Sequence, residues 1–367
     1  MKRLLLLSGV LLLGAVVSAV RAELPPPRPE VTPVTSTVFF ALDQGAVGPG
    51  MAPLPGPVER MVAALVCAVT GKASPNDAWR SLVKPGERVG IKVAVGPGLV
   101  GGTHPAVAQA VVQGLEAAGV PPENIMVWDK RREDLQVCGY DKVPGLRLRW
   151  IQEGAGYDPR STVSTAATGQ LIFGDLGFKE SRKSLSDVLG PVSQLSNESH
   201  LPIILTREAD KVINIPSLCD SCFTGIHGAL AGMTLGILDN WRRFGKGDGY
   251  GDAALAAAYG DERIGNKVVL TLMDGMVLQY AGGPYPSPVN CVAYGMLLAS
   301  RDPVAIDATA LRLIDEQRTL SKLPKASEDA GHLAEAESRG LGVAEEKRIT
   351  LRRVGASGKA EPAPLKP

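Results

Sequence analysis

The chain has 367 residues, 45% of them hydrophobic, with 39 basic and 38 acidic side chains and a formal net charge of +1. That is enough apolar material for one large domain or two ordinary ones, and the balanced charge argues against a nucleic-acid binder, which needs a basic field to draw in phosphates. Five cysteines are too few for a disulfide scaffold, so a hydrophobic core must carry stability, and the odd number leaves at least one thiol unpaired within the chain.

The first segment reads as an export signal. Lys2 and Arg3 precede an apolar run from Leu4 to Val20, and Val20-Arg21-Ala22 forms a small-residue cleavage site with a mature start near Glu23. The alternative is an uncleaved anchor, although the run is short for a bilayer span. No cysteine follows the run and no Arg-Arg pair precedes it, so neither a lipoprotein nor twin-arginine export is indicated. The expected location is periplasmic or secreted, with no membrane span after signal cleavage.

Residues 23–35 form a proline-rich leader. Val38 to Leu42 reads as a first strand. Pro57 to Val69 has helical spacing, with Val58, Met61, Val62, Leu65 and Val66 on one face. Pro75 opens a short helix through Trp79 and Leu82. Arg88 to Val95 is a β-branched strand, and a glycine-rich loop, Gly96 to Gly102, follows it. Thr103 or His104 can cap the helix that Pro105 opens, and Gly119 stops that helix. Ile125 to Trp128 is the next strand and ends at Asp129, so the unit is strand–helix–strand, which implies parallel strands. Residues 151–200 are rich in Ser, Thr and Gly and read as a loop-rich insertion.

In the back half, Lys211 to Ile215 reads as a strand and Thr224 to Ile237 as an Ala/Gly-rich helical stretch. Trp241 opens a polar loop, and Ala253 to Tyr259 is a helix. Lys267 to Met273 is a buried strand ending at Asp274. Met296 to Ala299 is a strand, Pro303 to Asp315 and Ser327 to Arg339 are helices, and Arg348 to Val354 is a last strand before a disordered tail, 355–367.

Several segments resemble the bacterial family called domain of unknown function 362. In the front half these are Ala78 to Gly86, Val89-Gly90-Ile91-Lys92-Val93, Thr103-His104-Pro105 and Ile125 to Asp129. In the back half they are Asn214-Ile215-Pro216-Ser217-Leu218, Thr224-Gly225-Ile226, Asp274-Gly275, Gly282-Gly283-Pro284 and Asp302 to Asp307. The resemblance implies an α/β fold and no established activity. Some members carry ferredoxin-like modules, but this chain has neither an iron–sulfur cluster motif nor a nucleotide motif, and its cofactor is unknown. The family pattern has Lys-Asp-His where this chain has Cys219-Asp220-Ser221, Lys-Asn at Ala231-Gly232, and Asn at Ala94. Those replacements imply a changed or lost activity. The front half is also similar, at the level of fold, to the nickel-dependent lactate racemase family.

Carboxylates that follow strands sit where α/β folds bind ligands, which makes Asp129 and Asp274, with His104, the catalytic candidates. Both carboxylates are equally plausible as helix caps. Asp302 before Pro303 fits a cap best, and Asp307 is placed to face the same crevice. Lys92, Gly98, Gly101, Thr103, Gly282 and Gly283 are the ligand-binding candidates, because glycine-rich loops present N–H groups to anions. Cys219 and Cys222 read as a redox pair, as zinc ligands with His227, as a structural disulfide, or as two ordinary thiols. Trp241-Arg242-Arg243-Phe244 reads either as an anion contact or as a solvated turn.

The expected fold is α/β: mostly parallel sheets with flanking helices, in two Rossmann-like lobes, 36–150 and 201–354, around a cleft. The expected function is binding of a small anionic ligand in that cleft, as an enzyme or as a non-catalytic binding protein with a degenerate site. A thiol redox protein using Cys219 and Cys222 is the third reading.

Overall fold

The computed structural model describes residues 34–152, 155–171, 175–176, 195–244, 251–355 and 359–365. The signal segment, 1–22, and residues 23–33 of the leader lie outside the described residues. Among those described, no helix is long and apolar enough to cross a membrane.

Strand β1 (Ser36–Leu42) is followed by helix α1 (Pro55–Thr70). The five apolar residues of α1 named from their spacing are its five buried residues. At about 1.5–3 kcal/mol for each fully buried aliphatic side chain, that stripe holds the helix on the sheet. Gly71 ends α1 in the left-handed region at φ 68°. Helix α2 (Pro75–Leu82) is capped by Ser74, whose hydroxyl accepts from the Asp77 N–H.

Then come β2 (Val89–Val93), a short turn of helix α3 (Gly98–Gly101), helix α4 (Pro105–Ala117) and β3 (Ile125–Asp129). β2 and β3 pair in parallel, as the strand–helix–strand reading requires. Every residue of both strands is buried, because the sheet is covered on both faces. Val89, Ile91 and Val93 point into a core shared with α1, α2 and α4. Met126 and Trp128 point into the core on the opposite face. Gly90 lacks a side chain because the Trp128 indole lies over it: a Cβ there would sit 2.9 Å from Trp128 Nε1.

Helix α5 (Arg132–Val137) and β4 (Leu148–Trp150) complete the front half. Residues 151–200 are not simply loops. β5 (Tyr157–Gln170) and β6 (Leu195–Pro202) form a separate antiparallel pair. Two register shifts in this pair break the two-residue alternation that would have marked the strands in the sequence.

The back half supplies β7 (Lys211–Ile215), β8 (Ser217–Ser221), β9 (Gly225–Ile226), β10 (Val268–Gln279), β11 (Cys291–Ser300), β12 (Ile349–Val354) and β13 (Ala360–Pro362). The main sheet runs β13-β12-β1-β11-β10-β7-β2-β3-β4, with β8 and β9 branching from β10. From β10 to β4 every neighbouring pair is parallel.

Two separate lobes are therefore not formed. β7 pairs with β2 from Val89↔Lys211 to Val93↔Ile215, so the two halves share one sheet. The tail expected to be disordered adds a strand, β13, antiparallel to β12. The stretch Thr224 to Ile237 is helical only over Ala229–Gly232. Its glycines serve close approach instead: a Cβ on Gly225 would lie 2.3 Å from the Ala326 carbonyl oxygen, and one on Gly228 would overlap the Asp307 carboxylate.

Candidate functional site

In the parallel part of the sheet, β3 and β4 lie on one side of β2, while β7 and β10 lie on the other. The strand order reverses at β2, and ligands of open α/β sheets bind beyond the carboxyl ends of strands at such a point. A cavity of about 400 Å³ lies there. It is lined by residues at and just beyond the ends of β2 and β3, by Phe223, His227 and Trp241, and by the loop Pro284-Tyr285-Pro286.

Its floor is a buried ion pair. Lys92, 1% exposed, places Nζ 2.7 Å from Asp129 Oδ1 and donates to the Val93 carbonyl at 2.6 Å. The ammonium also lies 5.7 Å from the centre of a Trp128 ring. Asp129 Oδ1 accepts from the Lys130 N–H at 2.7 Å, and Oδ2 accepts from the Val95 N–H at 2.8 Å. A charge this deep is tolerated only when paired and hydrogen-bonded, and both partners are. Asp129 thus clips the ends of β2 and β3 together.

Above this floor stands Lys130. Its Nζ donates to the Leu238 carbonyl at 2.5 Å and, more distantly, to the Leu235 carbonyl at 3.5 Å, and it lies 5.9 Å from the centre of a Trp241 ring. Burial lowers its pKa to about 7, against the opposing pull of Asp175 and Asp239. Arg131 stands next to it at the cavity wall. Asp134 lines the same side, its carboxyl pushed up by burial and then by the charge of Asp129.

The lining also holds an aromatic cluster. Phe223 meets Trp241 edge-to-face at 5.4 Å and Tyr285 at 6.3 Å. His227 completes it. Burial and then the charge of Lys92 hold the His227 pKa down to about 4, so the ring is neutral at pH 7, and its Nδ1 is buried with no protein partner.

Of the residues singled out in the sequence, Lys92, Asp129 and His227 meet in this cavity, together with Gly96 and Trp241. Arg242 and Arg243 are committed elsewhere: Arg242 pairs with Asp175, and buried Arg243 bonds Ser199, Thr165 and the Val163 carbonyl.

His104 and Asp274 do not line the cavity. Asp274 lies inside β10 rather than after it, since that strand runs on to Gln279. Its Oδ2 accepts from the His104 N–H at 2.7 Å and lies 2.8 Å from His104 Nδ1, tying the start of α4 to β10. Thr103 is bound into the same junction. Its hydroxyl donates to the Ile215 carbonyl and accepts from the Ala94 N–H.

The glycine-rich loop turns its donors inward, with Gly98 N–H on the Val95 carbonyl, Gly102 N–H on Gly98 and Thr103 N–H on Ala94. Gly98, at φ 82°, leaves room for Pro286, and Gly101 leaves room for the Gln279 side chain. Gly282 and Gly283 also serve packing: the Gly283 N–H donates to Asp220 Oδ1 at 2.9 Å, and a Cβ there would lie 2.0 Å from the Asp220 carbonyl oxygen. Asp302 caps the helix Pro303–Leu320 as expected. Asp307 does not face the cavity, because its two oxygens accept from the Ala229 and Leu230 N–H groups.

Cys219 and Cys222 sit on β8 and the turn after it, not on a loop entering a helix. Cys219 is fully buried and Cys222 is exposed. Burial, then the Asp220 charge, push the Cys219 thiol pKa far up, so that sulfur is a poor nucleophile. Among the described residues no group of three His, Cys, Asp or Glu side chains is arranged to hold a metal ion, and Cys219, Cys222 and His227 form no such set.

Lys130, Arg131, Phe223 and Tyr285 were not singled out from the sequence. For Lys130 and Arg131 the signal was their place directly after a strand-end carboxylate. Phe223 and Tyr285 carried none, because they meet only through the fold.

A model of the family described as "Domain of unknown function (DUF362)" matches residues 183–312. The matched segment contains Phe223, His227, Trp241 and Tyr285, whereas Lys92, Asp129, Lys130 and Arg131 precede it. No curated protein matches the chain. Among solved structures, the crystal structure of a Thermotoga maritima protein, a Northeast Structural Genomics Consortium target, is 13% identical with a TM-score of 0.34. The match covers 68% of this chain and spans 58% of that protein's length.

Proposed function

We propose that this protein binds a small monoanion with a flat apolar portion in the cavity beyond β2 and β3. One observation carries the reading: the cavity brings Lys130 and Arg131 together with the aromatic side chains of Phe223, Trp241 and Tyr285. Among the described residues, Lys130 Nζ donates to main-chain carbonyls and to no carboxylate. The charges limit the ligand to one negative group. Lys92 and Asp129 neutralise each other. Asp134, another lining residue, offsets part of the charge of Arg131, and Asp175 and Asp239 act on Lys130. A polyanion would therefore lack partners.

The test is titration followed by Trp241 fluorescence, with Trp241→Phe as the reference for the other three tryptophans. Benzoate should bind saturably and benzamide should not. Arg131→Ala should weaken benzoate at least about tenfold, the loss of one charge-assisted hydrogen bond of about 1.5–3 kcal/mol. Equal binding of benzoate and benzamide, or an unchanged affinity in Arg131→Ala, removes the reading.

Export belongs to the same proposal. Lys2, Arg3 and the apolar run to Val20 support it. Sequencing the N-terminus of protein recovered from the cell envelope should give a start near Glu23, and recovery of uncut chain from the cytoplasm would refute it.

A further inference from the structure

We propose that Lys130 is a carbonyl-reactive lysine, whose amine condenses with the carbonyl carbon of a small 2-oxo acid while Arg131 holds the acid's carboxylate. This rests on the anion-binding reading above and specifies its ligand class. In the step, Nζ forms a bond to the carbonyl carbon, the carbon–oxygen double bond becomes a carbinolamine, and that oxygen leaves as water with the two amine protons. The product is an imine, and no oxidant, reductant or metal is consumed.

Three features of the cavity support this role. First, the polar surroundings of Lys130 suit a free amine. Its two nearest acceptors are carbonyls, of Leu238 and Leu235, which take the two N–H groups of a neutral amine and leave its lone pair unengaged. Lys92, the other lysine of the cavity, is occupied by Asp129 and Val93 and cannot serve. Second, Arg131 is adjacent in the chain and lines the same cavity, so a carboxylate on it lies beside Lys130. Third, Trp241 and Leu235 line the same cavity and give the lysine a partly apolar surround, its Nζ 5.9 Å from the centre of a Trp241 ring.

The charged groups around the amine agree with this. Burial is the foremost cause that brings the Lys130 pKa to about 7. Asp175 and Asp239 favour the cation, and Arg242 and Arg131 oppose it. A far larger share of the amine is then free at pH 7 than the well under one part in a thousand of an ordinary lysine.

The probe is glyoxylate with sodium cyanoborohydride at pH 7, which converts an imine to a stable carboxymethyl-lysine. Peptide mass mapping of the full chain reads out the site. Lys130 should be labelled at least about tenfold faster than exposed Lys347, whose own pKa is raised by its hydrogen bond to Glu345. Oxamate, which carries the carboxylate but an unreactive carbonyl, should slow that labelling saturably. Its own binding is measured in parallel by Trp241 fluorescence.

If oxamate binds and Lys130 labels no faster than Lys347, the carbonyl-reactive role is overturned and anion binding stands. If oxamate does not bind and Lys130 is not labelled, both fail. Labelling of Lys130 that oxamate does not slow also overturns the proposal, because the carboxylate site is then not what delivers the carbonyl. Because the readout is the wild-type chain, no outcome depends on whether a variant folds.

Discussion

Removing the Asp129 carboxylate should be among the most damaging single changes near the cavity, and more damaging than removing the lysine it pairs with. Asp129 accepts from three donors, Lys92 Nζ at 2.7 Å, Val95 N at 2.8 Å and Lys130 N at 2.7 Å. Asp129→Ala leaves a lysine that is 1% exposed with only the Val93 carbonyl, and it strands two main-chain donors. Breaking a buried pair from one side costs about 3–5 kcal/mol, and we expect a value in that range. Lys92→Met removes the ammonium's two hydrogen bonds, to Asp129 and to the Val93 carbonyl, but leaves the carboxylate on two N–H groups, so it should cost about 1.5–3 kcal/mol, less than Asp129→Ala. In the double variant the costs should fall short of additive by at least about 1 kcal/mol, because the two groups share one interaction. Urea unfolding at pH 7 followed by far-UV circular dichroism measures all three. Midpoints should shift with little change in slope. A loss below about 1 kcal/mol for Asp129→Ala, within reach of an ordinary surface change, would refute the argument. So would a larger loss for Lys92→Met than for Asp129→Ala.

Two further outcomes follow from buried groups. Burial raises the Asp307 carboxyl from 3.8 to about 7, so between those values the folded chain holds a proton that the unfolded chain has lost. Its contribution to stability therefore falls as pH rises through that window. Asp307→Asn should flatten the dependence between about pH 4 and pH 7, and an unchanged slope in urea midpoints would count against a protonated Asp307. Gly102→Ala should destabilise by about 1–3 kcal/mol, since its Cβ would lie 2.7 Å from the Gly98 carbonyl oxygen. Gly86→Ala, with nothing within 4 Å, is the control, and equal midpoints for the two variants would show that the loop yields without cost.

The local elements were legible because local signals and packing agree there. The apolar stripe of α1, the strand–helix–strand unit from Val89 to Asp129 and the Asp302 cap each depend on residues a few positions apart. Where contacts are non-local the reading failed. β5 and β6 were hidden by register shifts, and β13 is a strand only because β12 offers it an edge. The two expected lobes became one sheet because β7 inserts beside β2, a pairing across more than a hundred residues that no periodicity records.

The site divides in the same way. By itself the sequence determined that Asp129 ends a strand of a strand–helix–strand unit whose first strand carries Lys92, and the pairing of those strands in the fold brought the two side chains together. The sequence also showed His104, Asp274 and the glycines as chemically equal candidates, and only the tertiary structure separated them. His104 and Asp274 serve the junction of α4 with β10, and the glycines permit close backbone approach. Lys130 gained its role in the same step, when Leu235, Leu238 and Trp241 folded over it. A side chain's identity is written in the chain, but its hydration is decided by what packs against it, and hydration sets whether an ionisable group is a structural tie or a reactive one.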